Sequence, residues 1–443
     1  MILRLVLNCS IKFYLVKTIL LCLSFICMTS SSCRGSGYST ENILSTIKDT
    51  LYAQNLGFVS GKVYELRDEI DLEGKVCVLP ECVTIKAKGG LIKNGSVVGQ
   101  NTRILYNNAV FDNVKIEGSW QIPVIKTSLF KDLSYENSLR DVIALTSPKV
   151  HNKVFIHKGL YIVQTEKNSE VCLTLNSNTE LILEGTIQLK PNSFTEYDIL
   201  RVEGDNIEVR GNGVIIGDKL THLSQDGEWG MGIRVQRSRN VRIKGLTVKD
   251  CWGDCIYVGR GSEKVRIEKC VLDNGRRQGV SITKASGVII NKCKISNVGG
   301  TLPEYAIDVE PNPGESTDNV VIENIEINNC KGGILVYGRG QNSRVGAVAI
   351  KNCMISGVEK NAVCVLSCDR LVLNKCKIYK QKSPLVIRCE DVDNLVFKNN
   401  SFSYSLLTTA KNTAKRIIGD NSKEPIMILR CDSTVVRNNK EME

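Results

Sequence analysis

Three carboxylates, Asp254, Asp308 and Glu310, fall at positions that a strand pattern can bring to one surface. Strands aligned on Ile233, Ile256, Val280, Ile307, Ile334 and Val363 put Arg234, Tyr257, Ser281, Asp308, Leu335 and Cys364 at the next, outward position. Two residues further on, also outward, come Gln236, Gly259, Thr283, Glu310, Tyr337 and Leu366. Two before the reference lie Met231, Asp254, Gln278, Tyr305 and Gly332. Polar, aromatic and charged residues thus gather on one face over consecutive strands and then give way to apolar ones, as a bounded ligand groove would. Asp254 and Asp308 stand two coils apart, about 10 Å along the stacking direction. Carboxyls roughly 6.5–9.5 Å apart suit hydrolysis of a glycosidic bond with inversion, one group acting as acid and the other activating water. Glu310, about 7 Å from Asp308 along its strand, offers a second pairing. Arg234, Arg276, Arg277 and Gln278 suit the binding of an anionic sugar, and the arginines would equally serve as salt-bridge partners for the same carboxylates. Tyr257 lies within the patch. Trp229, Trp252 and Tyr305, near strand starts, are placed either to stack on a sugar ring or to cover turns.

The elements that hold these residues are read from a repeat. Val241 to Ile256 matches Val265 to Val280 without a gap at a period of 24, and further copies begin at Val288, Val320, Val348, Leu371 and Leu395. Within each copy apolar residues alternate with polar ones, which describes short strands with one buried face. A period near 23 with Gly, Asn and Asp turns at matching offsets predicts one coil of a parallel β-helix per copy. Cys270, Cys293, Cys353 and Cys376 share one repeat position with Leu246 and Ile325, so they form an inward column rather than a set of metal ligands. Stacking at about 4.8 Å also keeps their sulfurs too far apart for a bond of about 2 Å. Asp250, Asn274, Asn297 and Asn329 share another position and read as a turn ladder, since Asn and Asp tolerate left-handed backbone. Residues 219–230 and Val298 to Glu304 are insertions that enter the strand stack beside the patch, where loops on a rigid scaffold commonly carry sites.

The N-terminus reads as an export signal. Arg4, Lys12 and Lys17 precede the apolar run Thr18 to Met28, the small residues Thr29 to Ser32 and then Cys33. The run is shorter than the roughly 20 residues needed to span a bilayer. Cys33 directly after small residues matches the lipidation site of bacterial lipoproteins, which predicts an outer-membrane anchor on the periplasmic or cell-surface side. Arg34-Gly-Ser-Gly lacks the acidic residues associated with surface export and favours the periplasmic side. The expected organisation is a signal peptide at 1–32, a tether with a short helix at 33–59, a first solenoid section at 60–126, a linker of helical pattern at 127–150 and the main β-helix at 151–443. A net charge of +11 falls to +8 without the three basic residues of the leader, a mild surplus that favours an anionic partner. No basic cluster with interleaved aromatics occurs, so no nucleic-acid partner is expected.

Leu173 to Leu183, Gly211-Asn-Gly-Val-Ile-Ile-Gly-Asp and Gly253-Asp-Cys-Ile-Tyr-Val resemble the polygalacturonases and their pectate-lyase-like superfamily. Over roughly residues 150–340 the resemblance implies an all-β, single-stranded right-handed parallel β-helix. The chemistry departs from that family. Its paired-aspartate strand start is Gly253-Asp254-Cys255 here, and its Gly-His-Gly is Arg277-Gln278-Gly279. Its uronate-gripping Arg-x-Lys is replaced by Asp308-Val-Glu310, and its remaining aspartate falls near Met231. A standard polygalacturonase mechanism is therefore not expected. The Arg-Gln-Gly-x-Ser-Ile and Ile-Asp-x-Glu-Pro segments also resemble Bacteroides-type and phage-tailspike-like β-helix proteins.

Three readings follow from these residues. The first is a glycoside hydrolase using Asp254 with Asp308 or Glu310, without a cofactor. The second is a uronate-cleaving lyase, for which Ca2+ would be the cofactor. The third is a non-catalytic glycan-binding stalk. Independently of these, Cys33→Ala is expected to move the protein from the membrane to the soluble fraction of the native cell, and a variant that stays membrane-bound removes the anchor.

Overall fold

The computed structural model describes residues 51–52, 58–165, 170–379, 385–403 and 426–442. Cys33, the leader and most of the predicted tether lie outside the described residues. No described helix is long and apolar enough to cross a membrane.

Alternating apolar residues every coil have one efficient way to bury themselves, which is to stack on the same residue of the next coil. The strands accordingly pair in parallel, each with its copy about one repeat later. One line of contacts runs Ile233, Ile256, Val280, Ile307, Ile334, Val363, in the register expected from sequence. A second runs Ile243, Ile267, Ile290, Ile322, Ile350, Leu373 and Phe397. A third, in an 11-stranded sheet of mostly three-residue strands, includes Ile215, Val248, Leu272, Ile295, Ile327 and Ile355. Long strands such as Trp229–Lys244 turn a corner and supply two of these lines at once, pairing with both Ile256–Gly259 and Ser262–Glu268. The interior is thus a set of aliphatic columns, each fully buried side chain contributing about 1.5–3 kcal/mol.

The cysteine column is interior. Cys270, Cys293, Cys353 and Cys376 are all buried free thiols, and Leu246 and Ile325 occupy the same position in other coils. Each thiol takes up a turn carbonyl, as Cys293 Sγ does with Asn291 O at 3.5 Å. The turn ladder also forms. Asp250, Asn274, Asn297 and Asn329 have φ of 55°, 55°, 57° and 53°, and Asn274 Nδ2 donates to Asp250 Oδ1 at 2.6 Å. Asp250 is therefore a turn residue.

The N-terminal section has its own 7-stranded parallel sheet, whose longest members are Leu91–Leu105 and Phe111–Trp120. Within 127–150 lies the helix Ser138–Ala144, which buries Leu139, Val142 and Ile143. Its Asp141 Oδ1 accepts from Ile116 N at 2.9 Å, and its Arg140 Nε donates to Cys172 O at 2.8 Å. The helix thereby bonds to strands on both sides of it.

Because Leu and Ile replace cysteine at the same column position, Cys293→Val is expected to cost less than about 1.5 kcal/mol in urea unfolding. Cys293→Asp buries an unpaired charge and should cost about 3–5 kcal/mol or prevent folding. An Asp variant as stable as the wild type would place this column outside the core.

Candidate functional site

Strict alternation would turn the residues two before the reference column inward. They point outward because the intervening position is held by Gly232, Cys255, Gly279, Ala306, Gly333 and Ala362, all small. A Cβ on Gly232 would meet Val248 Cγ1 at 2.6 Å, and one on Gly279 would meet Ile295 Cγ2 at 2.6 Å. Two successive residues therefore face the interior at this corner, and the parity before it is reversed. That brings Asp254 and Gln278, which precede their strands, to the same surface as Ser281, Asp308 and Glu310 within theirs.

Of these, Ser281, Asp308 and Glu310 line a cleft of about 470 Å³ together with Trp229, Arg234, Tyr257, Arg277 and the turn Pro311 to Pro313, among others. Asp308 is 2% exposed, and Gln278 Nε2 donates to its Oδ2 at 2.6 Å. Ser281 Oγ donates to Gln278 Oε1 at 3.0 Å, which fixes the orientation of the amide. Asp254 is fully buried beneath the cleft, with Arg277 Nη1 at 3.4 Å from its Oδ2. Asp254 Oδ1, Asp308 Oδ1 and Arg277 Nε have no hydrogen-bond partner in the protein. Buried carboxylate oxygens without a hydrogen-bond partner are costly; Asp308 and Arg277 line the cleft and Asp254 pairs with Arg277 behind it, a concentration of perturbed groups that makes this cleft the candidate site.

Burial sets the protonation of this group. It pushes the Asp254 carboxyl up to about 6, with Arg277 pulling the other way. It pushes Asp308 well above the usual carboxylate range, and repulsion from Glu310 adds to the effect. Burial also works against the charge of Arg277, but Asp254 and Asp308 outweigh it and raise that guanidinium above its ordinary value. The site thus holds two buried carboxyls that release their protons less readily than usual, Asp254 pushed up to about 6 and Asp308 well above the ordinary range, with Arg277 offsetting part of the rise in both.

Several side chains expected in the groove are used elsewhere. Arg234 is only 4% exposed and is paired with Asp198 (Nε–Oδ1 2.5 Å) and Glu196 (3.0 Å), so its charge is taken before any sugar arrives. It still lies against the Tyr257 ring at 5.1 Å and shapes the wall. Arg276 stacks on Trp252 at 3.7 Å and donates to Gly227 O, which fastens the insertion loop rather than gripping a ligand. Trp252 is buried between that guanidinium and the His222 ring, 4.0 Å away, and is not a stacking platform. Trp229 is 45% exposed at the mouth, and Tyr305 is buried beside the cleft. Ser281 and Leu335, the register neighbours of Asp308, carry no charge, and the cation that acts on its carboxyl is Arg277.

Other residues of the site have no counterpart in the sequence expectations. Asp198 is the register partner of Met231, so the carboxylate missing there stands one coil earlier, bonded to Arg201 and Arg234. Glu228, carried in by the loop insertion, lies 3.9 Å from Arg277 and adds to the repulsion on Asp254. The loop itself is pinned by Asp218, which accepts from Tyr197 Oη and Asn192 and pairs with His222 Nδ1 at 2.8 Å. Gly253 now has a cause. A Cβ there would meet Glu228 O at 2.6 Å and Gly230 N at 2.9 Å, so the insertion fills the space an aspartate side chain would need. Among the described residues, no group of three or more His, Cys, Asp or Glu side chains is gathered as a metal site would be.

The family model for the right handed beta helix region matches residues 166–346 and 341–441. The SPbeta prophage-derived uncharacterized protein YorA of Bacillus subtilis is 31% identical over 188 residues, 35% of this chain and 32% of its own length. An exopolygalacturonase of Arabidopsis thaliana is 28% identical over 163 residues, 32% of this chain and 36% of its own. The chain therefore spans about a third of the length of these relatives. The solved Dettilon tailspike protein shares the fold, with a TM-score of 0.52 at 13% identity over 72% of this chain and 62% of the tailspike.

The protonation of Asp254 has a consequence for stability. Between about pH 3.8 and 6 the folded chain holds a proton on Asp254 that the unfolded chain has lost. The stability this contributes is complete below pH 3.8 and is lost as pH rises through 6, a change on the order of 3 kcal/mol. Asp254→Asn is therefore expected to flatten the fall in urea stability between pH 4 and 7 and to be the more stable protein at pH 7. A wild type and variant with parallel pH curves would show that the carboxyl is not perturbed.

Proposed function

The chain belongs to the right handed beta helix region family, and from that premise we propose that it is a glycoside hydrolase acting on a polysaccharide. The observation that carries the reading is Asp308, a buried carboxyl in the lining of the cleft whose proton is favoured by burial and by the neighbouring Glu310. Two carboxyls whose environments set them apart are what acid–base catalysis at one bond requires. Asp308 gives its proton to the glycosidic oxygen as the bond breaks. Asp254, ionised above pH 6 and held by Arg277, takes a proton from the attacking water. Their two-coil offset, about 10 Å between backbones along the axis, is nearer to the roughly 6.5–9.5 Å of inverting carboxyl pairs than to the roughly 5–5.5 Å of retaining ones. Burial favours the proton on Asp308, and repulsion from Glu310 adds to it. The relative among the exopolygalacturonases supports a polysaccharide substrate. Arg260 lines the cleft and makes no ion pair among the described residues, which supports a substrate with anionic units. The lyase reading loses support because Arg277, the nearest candidate base, is held more firmly protonated than a free arginine. Export and lipid attachment at Cys33 belong to the same proposal.

Digestion of a panel of plant and microbial polysaccharides is expected to release reducing ends without the ultraviolet absorbance of an unsaturated uronate. Asp308→Asn should fold normally and lose about 10²–10⁴ of the turnover rate. Absorbing products would make the protein a lyase, and full activity of the variant would take Asp308 out of the reaction.

The base must be ionised, so kcat/KM is expected to fall as pH drops below about 6, following Asp254. An acid limb unchanged in Glu310→Gln but abolished in Asp254→Asn identifies the base. A profile flat from pH 4 to 8 contradicts the assignment.

A further inference from the structure

Gln278 falls in sequence among the groups suited to hold an anionic sugar, but its side chain is fully buried and it is not among the residues that line the cleft. Its contacts are with the side chains of the site itself. The backbone is held from the preceding coil, where Cys255 N donates to Gln278 O at 3.0 Å. From there the amide meets two groups. Nε2 donates to Asp308 Oδ2 at 2.6 Å, and Oε1 accepts from Ser281 Oγ at 3.0 Å. Ser281 is the register neighbour of Asp308 and is 3% exposed, so hydroxyl, amide and carboxyl form one chain with almost no access to water. A primary amide has a donor end and an acceptor end. With the acceptor end taken by the hydroxyl, the donor end is the one that faces Asp308. Two hydrogens do not fit between Nε2 and Oδ2, so the proton that burial favours on Asp308 belongs on Oδ1.

We propose that Gln278, oriented by Ser281, is a positioning residue for Asp308: its Nε2–H keeps Oδ2 as the accepting oxygen, leaves Oδ1 to carry the proton, and stabilises the carboxylate that remains once that proton has gone. The inference rests on the hydrolytic reading above for the step it serves. As the glycosidic bond breaks, its electron pair passes to the leaving oxygen, which takes the proton. The electron pair of the Asp308 O–H bond stays on the carboxylate, where Oδ2 already has a donor in place. A donor fixed before the charge develops has no rearrangement to make when it does. The amide does not titrate, so this donor is present at every pH at which the carboxyl acts. Arg277 is the cation that acts on the same carboxyl, but it is also drawn to Asp254, whereas the Gln278 amide serves Asp308 and not Asp254.

Carbon-13 titration of Asp308 in the full chain tests this in the wild type, Gln278→Leu and Ser281→Ala. A hydrogen bond to a charged group is strong enough to move a carboxyl by about one pH unit or more. Gln278→Leu keeps the bulk and removes the donor, so the Asp308 midpoint should rise by that amount. Ser281→Ala frees the amide to turn and should raise it as well; if the leucine variant does not fold, this one decides. A midpoint that falls would show that the amide accepts from Asp308 instead of donating, and an unchanged midpoint would show that the two are not coupled; either overturns the proposal. So does a wild-type carboxyl that stays protonated until alkaline unfolding, because the stabilised carboxylate would then never form. On a polysaccharide that the wild type digests, Gln278→Leu should lower kcat about tenfold with KM little changed, and a rise in KM alone would make Gln278 a binding residue. The titration uses no substrate, so its failure leaves the hydrolytic reading standing, and failure of that reading leaves the shift measurable.

Discussion

Parallel stacking of identical positions at about 4.8 Å is the constraint from which the rest of this structure follows. Once Ile233, Ile256, Val280, Ile307, Ile334 and Val363 lie one above another, every residue at a fixed offset from them is also stacked. The column fixes the outward neighbours as firmly as the core. A cleft on such a surface needs little beyond a choice of residues at successive copies of one position, and its floor is as rigid as the interior beneath it. The same rigidity lets Asp254 and Asp308 stay buried without full satisfaction, since the backbone around them has no softer arrangement to adopt.

The site is built where the repeat is interrupted by insertions. Small residues at the corner turn Asp254 and Gln278 outward, and two insertions enter there. The loop before Trp229 brings Glu228 to Arg277 and occupies the space above Gly253. The difference from a polygalacturonase strand start is therefore a replacement, in which backbone and a new carboxylate stand where a side chain would have been. Protonation then sets the two aspartates apart. Burial raises both aspartates, Glu310 raises Asp308 further, and Arg277 limits the rise of Asp254.

The coil register, the cysteine column and the left-handed Asn and Asp ladder were legible in the sequence, because each repeats at one offset and depends only on which way a backbone position faces. The gathering of Asp254, Gln278, Asp308 and Glu310 was legible for the same reason. What each cation does was not. Arg234, Arg276 and Arg277 all fall near the patch in the sequence alignment, yet Arg234 is claimed by Asp198 and Glu196 and Arg276 by Trp252 and the Gly227 carbonyl. Those partners come from another coil and from a non-repeating loop, which periodicity cannot align. Trp252 shows the same limit, since its burial depends on His222 within that loop.

Carbon-13 NMR titration of the aspartate carboxyls reads directly whether a raised Asp308 stands beside an Asp254 that ionises near neutrality. With Asp254→Asn and Asp308→Asn used to assign the two signals, a midpoint near 6 is expected for Asp254 and one well above the ordinary range for Asp308. Titration of both near 3.8, the ordinary aspartate value, would contradict it.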